Sequence, residues 1–441
     1  MRYCLIVLIL MLSIGCGCKS IIENQGLSPK MEAVRDSLDT YFSKLTELKK
    51  FNGVVLAYKH DTLLMKKAFN LNKDPKSSTF VTDSTQFDIH SISKLMAHYL
   101  VAKLENEGKL SRDYTLDYFF EDFPNGDKIT ITMLLEHRSG LPRELMGVEG
   151  AEYDMTSEDI MELAKKQPLL FEPGSDVQYS NVGYEILYTI VSKAYGKSFA
   201  QCVVDNIFEP LGMDTSGAHF FTNENRVKNM AQNHVLRDSL VVKVDNIQHD
   251  EFRTARLFST VNDLKKFLDH VKNEPFASAL KNRNGIIAKD GGSKGIRAQV
   301  YSDLENHFDF VLLANYDEMP FFDTIEDVTK LLKSEPVEYP KEISRTAIKL
   351  EKEVLEQYEG SYTFADFDGL VLEIKVEGNH LVIFQDGEKI AELQPESPTV
   401  FFENPKAAES FEFVKNESDS FDALMGWKGI VVEGKLVTGN R

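Results

Sequence analysis

The order of strand-like and helix-like segments limits the folds open to this chain more than any other feature of its sequence. Strands are predicted near the start at 52–58 and 62–65, and again much later at 286–289, 297–301 and 308–315. The segments between them have the apolar spacing of helices. Strands from both ends of one region fit a single antiparallel sheet with an inserted helical lobe. We therefore predict an α/β fold of the α+β kind, in which helices flank that sheet.

The pattern of apolar residues changes after a proline-containing linker near 334–344. Short alternating segments follow, which predict a small all-β, barrel-like domain. Its apolar residues favour a packed interior over a ligand cavity, and Trp427 is expected in that core. The predicted strands lie at 370–376, 381–384, 390–393, 400–402, 411–414 and 430–432. Helices of the preceding region are predicted at 31–49, 91–104, 129–136, 157–166, 182–195, 262–271 and 324–332.

The N-terminal segment predicts export and anchoring. Its apolar run at 4–14 is shorter than the about 20 residues that span a bilayer, and it fits a secretory signal. The following Gly15-Cys16 resembles a bacterial lipoprotein processing site, which makes Cys16 the expected lipidated N-terminus and Cys18 the fallback. A plain signal peptide with incidental cysteines is the alternative. A lipid on Cys16 implies a bacterial cell-envelope protein held at the membrane.

These features divide the chain into four predicted parts. They are a signal at 1–18, a tether at 19–30, an α/β domain at 31–338 and a C-terminal β domain at 345–441. The net charge of −19 argues against a nucleic-acid partner, because phosphate binding needs a basic surface. With only four cysteines, neither a disulfide framework nor a metal cluster is expected, and no cofactor is predicted. The oligomeric state is left open.

A first chemical motif is the pair Ser91 and Lys94, at the predicted start of a helix. Residues three apart share a helix face, so the Lys94 amine comes within reach of the Ser91 hydroxyl. Free backbone N–H groups at the helix start stabilise an anion. A nucleophile for acyl transfer needs both. The same spacing recurs at Ser278 and Lys281, and an isolated copy is more typical of a capping serine with a solvated lysine.

A second motif is Tyr179-Ser180-Asn181, in a predicted loop before a helix. A tyrosine is a useful base only if its pKa falls, and a nearby cation such as Lys94 is expected to lower the pKa of Tyr179. The alternative is a buried tyrosine beside a capping asparagine.

A third motif is Lys289-Asp290-Gly291-Gly292, which begins at the last residue of the strand predicted at 286–289. Alternation along a strand places Lys289 and Gly291 on one face. Lys289 can then bind an anionic substrate group, and the glycines let a substrate backbone approach closely. The alternative is a solvated lysine before a glycine turn.

The three motifs, in this order, resemble those of the serine β-lactamase and penicillin-binding-protein-like family. The Tyr-x-Asn form is similar to the branch of class C β-lactamases, esterases and D-aminopeptidases. Segments 134–142, 171–174, 207–213 and 258–264 are similar to elements of the same branch. The C-terminal β domain resembles the lipocalin-like domain of some bacterial members.

The resemblance implies a serine hydrolase that works through an acyl-enzyme on an amide or ester. The substrate is then a small molecule or peptide: a D-amino-acid peptide, a simple ester or a β-lactam. A catalytically silent module that binds cell-wall peptide or a partner protein is the alternative. The resemblance implies that Ser91 is acylated, that Lys94 shares its proton network and that Tyr179 is the general base. Asn181 would contact Lys94 and the substrate amide, Lys289 would supply charge, and Gly291 would allow close approach of the substrate. The N–H groups of Ser91 and Gly292 would form the oxyanion hole.

Asp290 departs from the family pattern, which is usually Lys-Thr-Gly or His-x-Gly, because it places an anion where a hydroxyl often helps to receive a substrate carboxylate. An anion there disfavours substrates that carry a carboxylate, such as β-lactams, unless Asp290 faces away or Arg297 offsets it. This residue favours a peptidase or esterase over a β-lactamase.

Overall fold

The computed structural model describes residues 27–145, 157–219, 227–237, 239–244, 256–365, 370–385, 387–427 and 430–437. The predicted signal, with Cys16 and Cys18, lies outside these residues, as does most of the predicted tether. Among the described helices, none combines the length and apolar character needed to cross a membrane.

A five-stranded antiparallel sheet organises the larger part of the chain, with strand order β2-β1-β10-β9-β8. Strand β1 lies beside β10, with Gly53 opposite Ala314, so the first and last strands of the region pair at its centre. This confirms the prediction of one sheet built from both ends. The strands are β1 (Gly53–Lys59), β2 (Thr62–Phe69), β8 (Ile286–Ser293), β9 (Ile296–Asp303) and β10 (Phe308–Ala314).

Helices cover both faces of this sheet because its strands carry apolar side chains on both sides. Val54 and Leu56 of β1 join the core of the helical lobe, whereas Val55 and Ala57 join a second core with the first and last helices of the region. The helices are α1 (Pro29–Glu47), α2 (Ile92–Asn106), α3 (Ile131–Leu135), α4 (Ser157–Ala164), α5 (Asn181–Tyr195), α6 (Phe199–Val203), α7 (Val261–Val271) and α8 (Phe321–Lys333).

Two small sheets complete the lobe. One joins β3 (Phe87–Asp88), β7 (Leu257–Ser259) and β4 (Gly217–Ala218), and the other is the pair β5 (Asn233–Arg237) and β6 (Leu240–Val244). Strand β3 positions the predicted Ser91 motif, because the chain passes from β3 through a single tight turn into α2.

The C-terminal part is a closed eight-stranded barrel, which confirms the predicted all-β domain. Aromatic side chains such as Tyr362, Phe401 and Phe413 pack in its core, as expected for a filled interior. Trp427 is 40% exposed at the end of a strand, so its predicted place in the core is wrong. After α9 (Lys352–Leu355) the strands are β11 (Gly360–Phe364), β12 (Leu370–Glu377), β13 (His380–Gln385), β14 (Glu388–Pro395), β15 (Val400–Phe402), β16 (Ser410–Lys415), β17 (Phe421–Trp427) and β18 (Ile430–Leu436).

Candidate active site

Ser91 sits at the turn between β3 and α2. His90 takes a positive φ of 40°, an uncommon conformation for a residue with a side chain, and this turns the chain so that Ser91 begins the helix. The Ser91 side chain makes no capping hydrogen bond. Instead its Oγ accepts one from Lys94 Nζ at 3.1 Å, and Lys94 is only 6% exposed. A capping serine with a solvated lysine therefore does not describe this pair.

Tyr179 reaches the same oxygen from the start of α5. Its hydroxyl donates to Ser91 Oγ at 2.9 Å. Ser180 is extended (φ −126°, ψ 116°), so Tyr179 and Asn181 project to the same side while Ser180 turns inward. The buried Ser180 hydroxyl caps α5 through Gly183 N at 2.9 Å and also donates to a backbone carbonyl of the preceding loop. Ser180, and not Asn181, is thus the capping residue.

Cations surround the Tyr179 ring, yet the pKa of Tyr179 is raised overall. Lys94 Nζ, Arg143 Cζ and Lys289 Nζ lie 5.2, 5.1 and 5.1 Å from the ring centroid. Burial raises the pKa of Tyr179 to about 12, and the hydrogen bond to Ser91 offsets only part of this. The sequence-based expectation of a lowered pKa for Tyr179 is wrong, because burial destabilises the phenolate more than the nearby cations stabilise it.

His137 supports Tyr179 as a neutral ring. Their ring centroids lie 4.3 Å apart, and His137 Nδ1 accepts the Ser180 N–H at 3.1 Å. Burial lowers the pKa of His137 to about 3, with the charges of Lys289 and Lys94 acting in the same direction. His137 therefore holds the loop and the tyrosine in place.

Strand β8 forms the opposite side of the site and extends through all of Lys289-Asp290-Gly291-Gly292, further than predicted. Gly291 is buried, and a Cβ there would lie 2.3 Å from Ile89 O and 3.1 Å from Ser91 N. Only glycine lets this strand approach the Ser91 turn so closely. This edge strand thereby brings Lys289, on the same face as Gly291, to the Tyr179 ring.

Asp290 and Gly292 alternate to the other face of β8. Gly292 pairs with Arg297 across the sheet, so Arg297 lies on the same face as Asp290. This arrangement agrees with the expectation that Arg297 could offset the Asp290 charge. The Asp290 carboxylate still lies 3.6 Å from Lys289 Nζ. The Asp290 carboxylate therefore offsets part of the positive charge of Lys289, and it also helps to raise the pKa of Tyr179.

Glu144 was not among the predicted residues. Its Oε1 accepts a hydrogen bond of 2.6 Å from Asn181 Nδ2. Glu144 lies just after segment 134–142 and next to Arg143, whose guanidinium covers the Tyr179 ring. A single charged residue in a loop carries no pattern by which the sequence could have identified it.

A buried ionic group lies next to the Ser91 turn, and the sequence analysis did not predict it. Asp88, the last residue of β3, hydrogen-bonds His219 Nε2 at 2.6 Å and lies 3.4 Å from both Asn233 Nδ2 and Arg256 Nη2. Burial raises the pKa of Asp88, but His219 and Arg256 more than offset it and hold the pKa below its usual range. These four residues come from separate strands or their ends, so they tie the turn to the small sheets.

Among the described residues, no group of three or more His, Cys, Asp or Glu side chains is arranged to hold a metal. Cys202 is buried and not in a disulfide.

Comparison with known proteins gives a family and a fold. The Beta-lactamase family model matches residues 38–310, more than half of the chain. Penicillin-binding protein 4* of Bacillus subtilis is 27% identical over 416 residues, covering 83% of this chain and 91% of the relative. The octameric penicillin-binding protein homologue from Pyrococcus abyssi superposes with a TM-score of 0.60 at 21% identity, covering 91% of this chain and 99% of that one. D-amino acid amidase from Ochrobactrum anthropi gives 0.57 at 18% identity, with 68% and 98% covered.

Proposed function

The chain belongs to the Beta-lactamase family, and on that premise we propose that it is a serine hydrolase that cleaves an amide or ester through an acyl-enzyme on Ser91. One observation carries the proposal: Ser91 Oγ accepts hydrogen bonds from both Lys94 and Tyr179 and caps nothing. A nucleophilic hydroxyl needs such proton-transfer partners within reach.

The Ser91 proton passes to Lys94, once that amine has given up its own proton, while Oγ attacks the carbonyl carbon. Tyr179 keeps its own proton in the resting enzyme, because with a pKa of about 12 its ionisation at pH 8 costs about 5 kcal/mol. Tyr179 then gives that proton to the leaving nitrogen or oxygen as the scissile bond breaks. In deacylation its oxygen takes a proton from the attacking water, and Lys94 returns the first proton to Ser91.

The oxyanion is held by the N–H groups of Ser91 and Gly292. The Ser91 N–H donates to no acceptor among the described residues, and the first turn of α2 adds its own positive end. Lys289 supplies positive charge at the same side, and Gly291 permits the short distance between strand and turn.

The substrate class is a D-amino-acid peptide or amide, or a simple ester. The similarity to a D-amino acid amidase supports the amide, and penicillin-binding relatives support a cell-wall peptide. Asp290 next to Lys289 weakens the attraction of the site for a carboxylate, which disfavours β-lactams relative to neutral acyl donors.

The protein acts in the bacterial cell envelope, held to the membrane by a lipid on Cys16, with the α/β domain at 31–338 as the enzyme and 345–441 as the barrel. Penicillin-binding relatives support this location. Mass spectrometry of the protein from its native membrane tests the anchor: we expect a lipidated Cys16, and an unmodified N-terminus at another residue contradicts it.

The activity is tested on the intact protein with a fluorophosphonate and a penicillin, followed by turnover of nitrocefin, p-nitrophenyl esters and D-amino-acid amides. We expect a Ser91 adduct and turnover of the esters or amides. No adduct with either probe, and rates equal to those of Ser91→Ala, would instead favour a module that only binds.

A further inference from the structure

We infer that Asp88 is a positioning residue for the proposed reaction, because its buried contacts keep the chain in the left-handed turn that presents Ser91. This deepens the proposed function and rests on it. The inference starts from the turn itself, in which His90 has a positive φ of 40°.

The turn between β3 and α2 has a geometry that favours glycine at position 90. Ile92 N donates to Ile89 O at 3.0 Å, which closes a four-residue turn with His90 second and Ser91 third. Ser91 has φ −65° and ψ −4°. A positive φ at the second position followed by a negative φ at the third is the pattern of a type II′ turn, where glycine is preferred. With a histidine there, the turn is strained and persists only where its surroundings fix it.

The Asp88 side chain fixes the chain at the entrance to this turn. It is 3% exposed, and its carboxylate accepts hydrogen bonds from three separate segments. Oδ1 accepts from His219 Nε2 at 2.6 Å, while Oδ2 lies 3.4 Å from both Asn233 Nδ2 and Arg256 Nη2. Because both oxygens are engaged, the carboxylate cannot rotate or shift without breaking contacts in a buried site.

The partners of Asp88 are themselves held in place. His219 N donates to Arg256 O at 3.0 Å, and the His219 ring lies 5.1 Å from the Phe258 ring. The backbone of Asp88 also pairs with Phe258 of β7. The anchor is therefore fixed through both side chain and backbone, and it ends two residues before His90.

The peptide between His90 and Ser91 connects this turn to the chemistry, because it carries the Ser91 N–H, one of the two donors proposed for the oxyanion. If the anchor loosens, His90 relaxes towards a negative φ, and the peptide rotates so that its N–H no longer points at the oxyanion. The oxyanion forms only after attack on the carbonyl, so such a rotation lowers kcat more than it changes KM.

The test is a cycle of variants in which kcat and KM are measured on the ester or amide that wild type cleaves best. Asp88→Asn keeps the size of the side chain but removes its charge. We expect it to lower kcat about tenfold or more, with KM changed less than about twofold. The same change is then made in His90→Gly and in His90→Ala.

The two backgrounds separate the backbone conformation from the imidazole ring. Glycine takes a positive φ without strain, so in His90→Gly the Asp88→Asn change should lower kcat less than about threefold. Alanine removes the ring but keeps the Cβ, so in His90→Ala the same change should again lower kcat about tenfold.

Asp309→Asn controls for the loss of a buried carboxylate as such. Asp309 lies on β10, is also buried, and accepts from Ser302 Oγ at 2.5 Å and Lys272 Nζ at 2.9 Å. We expect this variant to unfold at lower denaturant concentration but to keep the kcat of wild type. His219→Gln, which removes the shortest contact of Asp88, gives a second measurement of the cycle if Asp88→Asn does not fold.

Three results overturn the inference while Ser91 still reacts with a fluorophosphonate. They are an equal loss of kcat in all three backgrounds, a loss just as large in Asp309→Asn, and a loss below about threefold for Asp88→Asn in wild type. A wild type that neither reacts at Ser91 nor cleaves any ester or amide shows instead that the proposed function has failed, and the inference fails with it.

Discussion

The serine–lysine spacing occurs twice in this chain, and the two copies have very different surroundings. Ser91 begins the 15-residue helix α2, and the buried Lys94 bonds to it. Ser278 lies in the four-residue 3₁₀ turn Ala277–Leu280, is exposed, and is followed by Lys281 in an extended conformation. In the described part of the chain Ser278 and Lys281 make no hydrogen bond to each other.

The comparison teaches that spacing alone supplies proximity only where a helix continues through both residues and the lysine is buried. Around Ser91 two further segments close in, Tyr179 from the start of α5 and Gly291 from β8. Ser278 has neither. A nucleophile is therefore made by its surroundings as much as by its own motif.

The largest expected effect separates the two serines. Ser91→Ala removes the proposed nucleophile and should lower kcat/KM at least about 10³-fold on the best ester or amide, because only binding and the proposed oxyanion site would remain. Ser278→Ala should match wild type, since Ser278 is an exposed surface residue. Fluorophosphonate labelling followed by peptide mapping checks both, and a label on Ser278 would reverse the comparison.

The lysines should differ nearly as much. Lys94→Met keeps the length and burial of the side chain but removes the amine, and we expect a loss of about 10²- to 10⁴-fold in kcat/KM, the range of general acid–base catalysis. Lys281→Met serves as the matched control and should retain full activity. Thermal unfolding of each variant separates a lost amine from a damaged fold.

A Tyr179→Phe variant tests whether the Tyr179 hydroxyl loses its proton in the working pH range. With the pKa of Tyr179 raised to about 12, its hydroxyl stays protonated through the working range. Tyr179→Phe should lower kcat/KM about 10²-fold, because it removes the proton donor to the leaving group, but it should leave the shape of the pH profile around neutral pH unchanged, because a hydroxyl that stays protonated does not titrate there. If the profile of the variant changes shape around neutral pH, Tyr179 is the base and the roles proposed for Lys94 and Tyr179 are reversed.

The two glycines of β8 give the smallest and most local effect. An alanine Cβ at 291 would meet backbone, at 2.3 Å from Ile89 O, whereas at 292 it would meet the end of the Arg297 side chain at 3.0 Å. Gly291→Ala should therefore cost about 1–3 kcal/mol of stability and reduce activity, while Gly292→Ala is nearly neutral in stability. Denaturant unfolding and kcat/KM measure both, and equal losses at the two positions would contradict the close approach.

Much of the fold followed from local patterns. Short apolar runs identified β1 and β10, and helical apolar spacing identified α1 to α5, α7 and α8, to within a few residues, whereas α6 and α9 were not predicted. In the barrel, β11 and β17 were missed, since their glycine, serine or aspartate residues blur the alternation. The barrel closes around them because their neighbours leave unpaired edges on both sides.

The sequence by itself determined which residues are candidates for the chemistry. Ser91, Lys94, Tyr179, Lys289 and Gly291 were all predicted from the order of the motifs and from the family that they resemble. Only the tertiary structure decided how they behave: that Tyr179 is buried enough to stay protonated, that Asp290 faces away, and that Glu144 holds Asn181. Protonation and donor orientation depend on which distant segments surround a group and how much water they displace, and no short stretch of sequence carries that information.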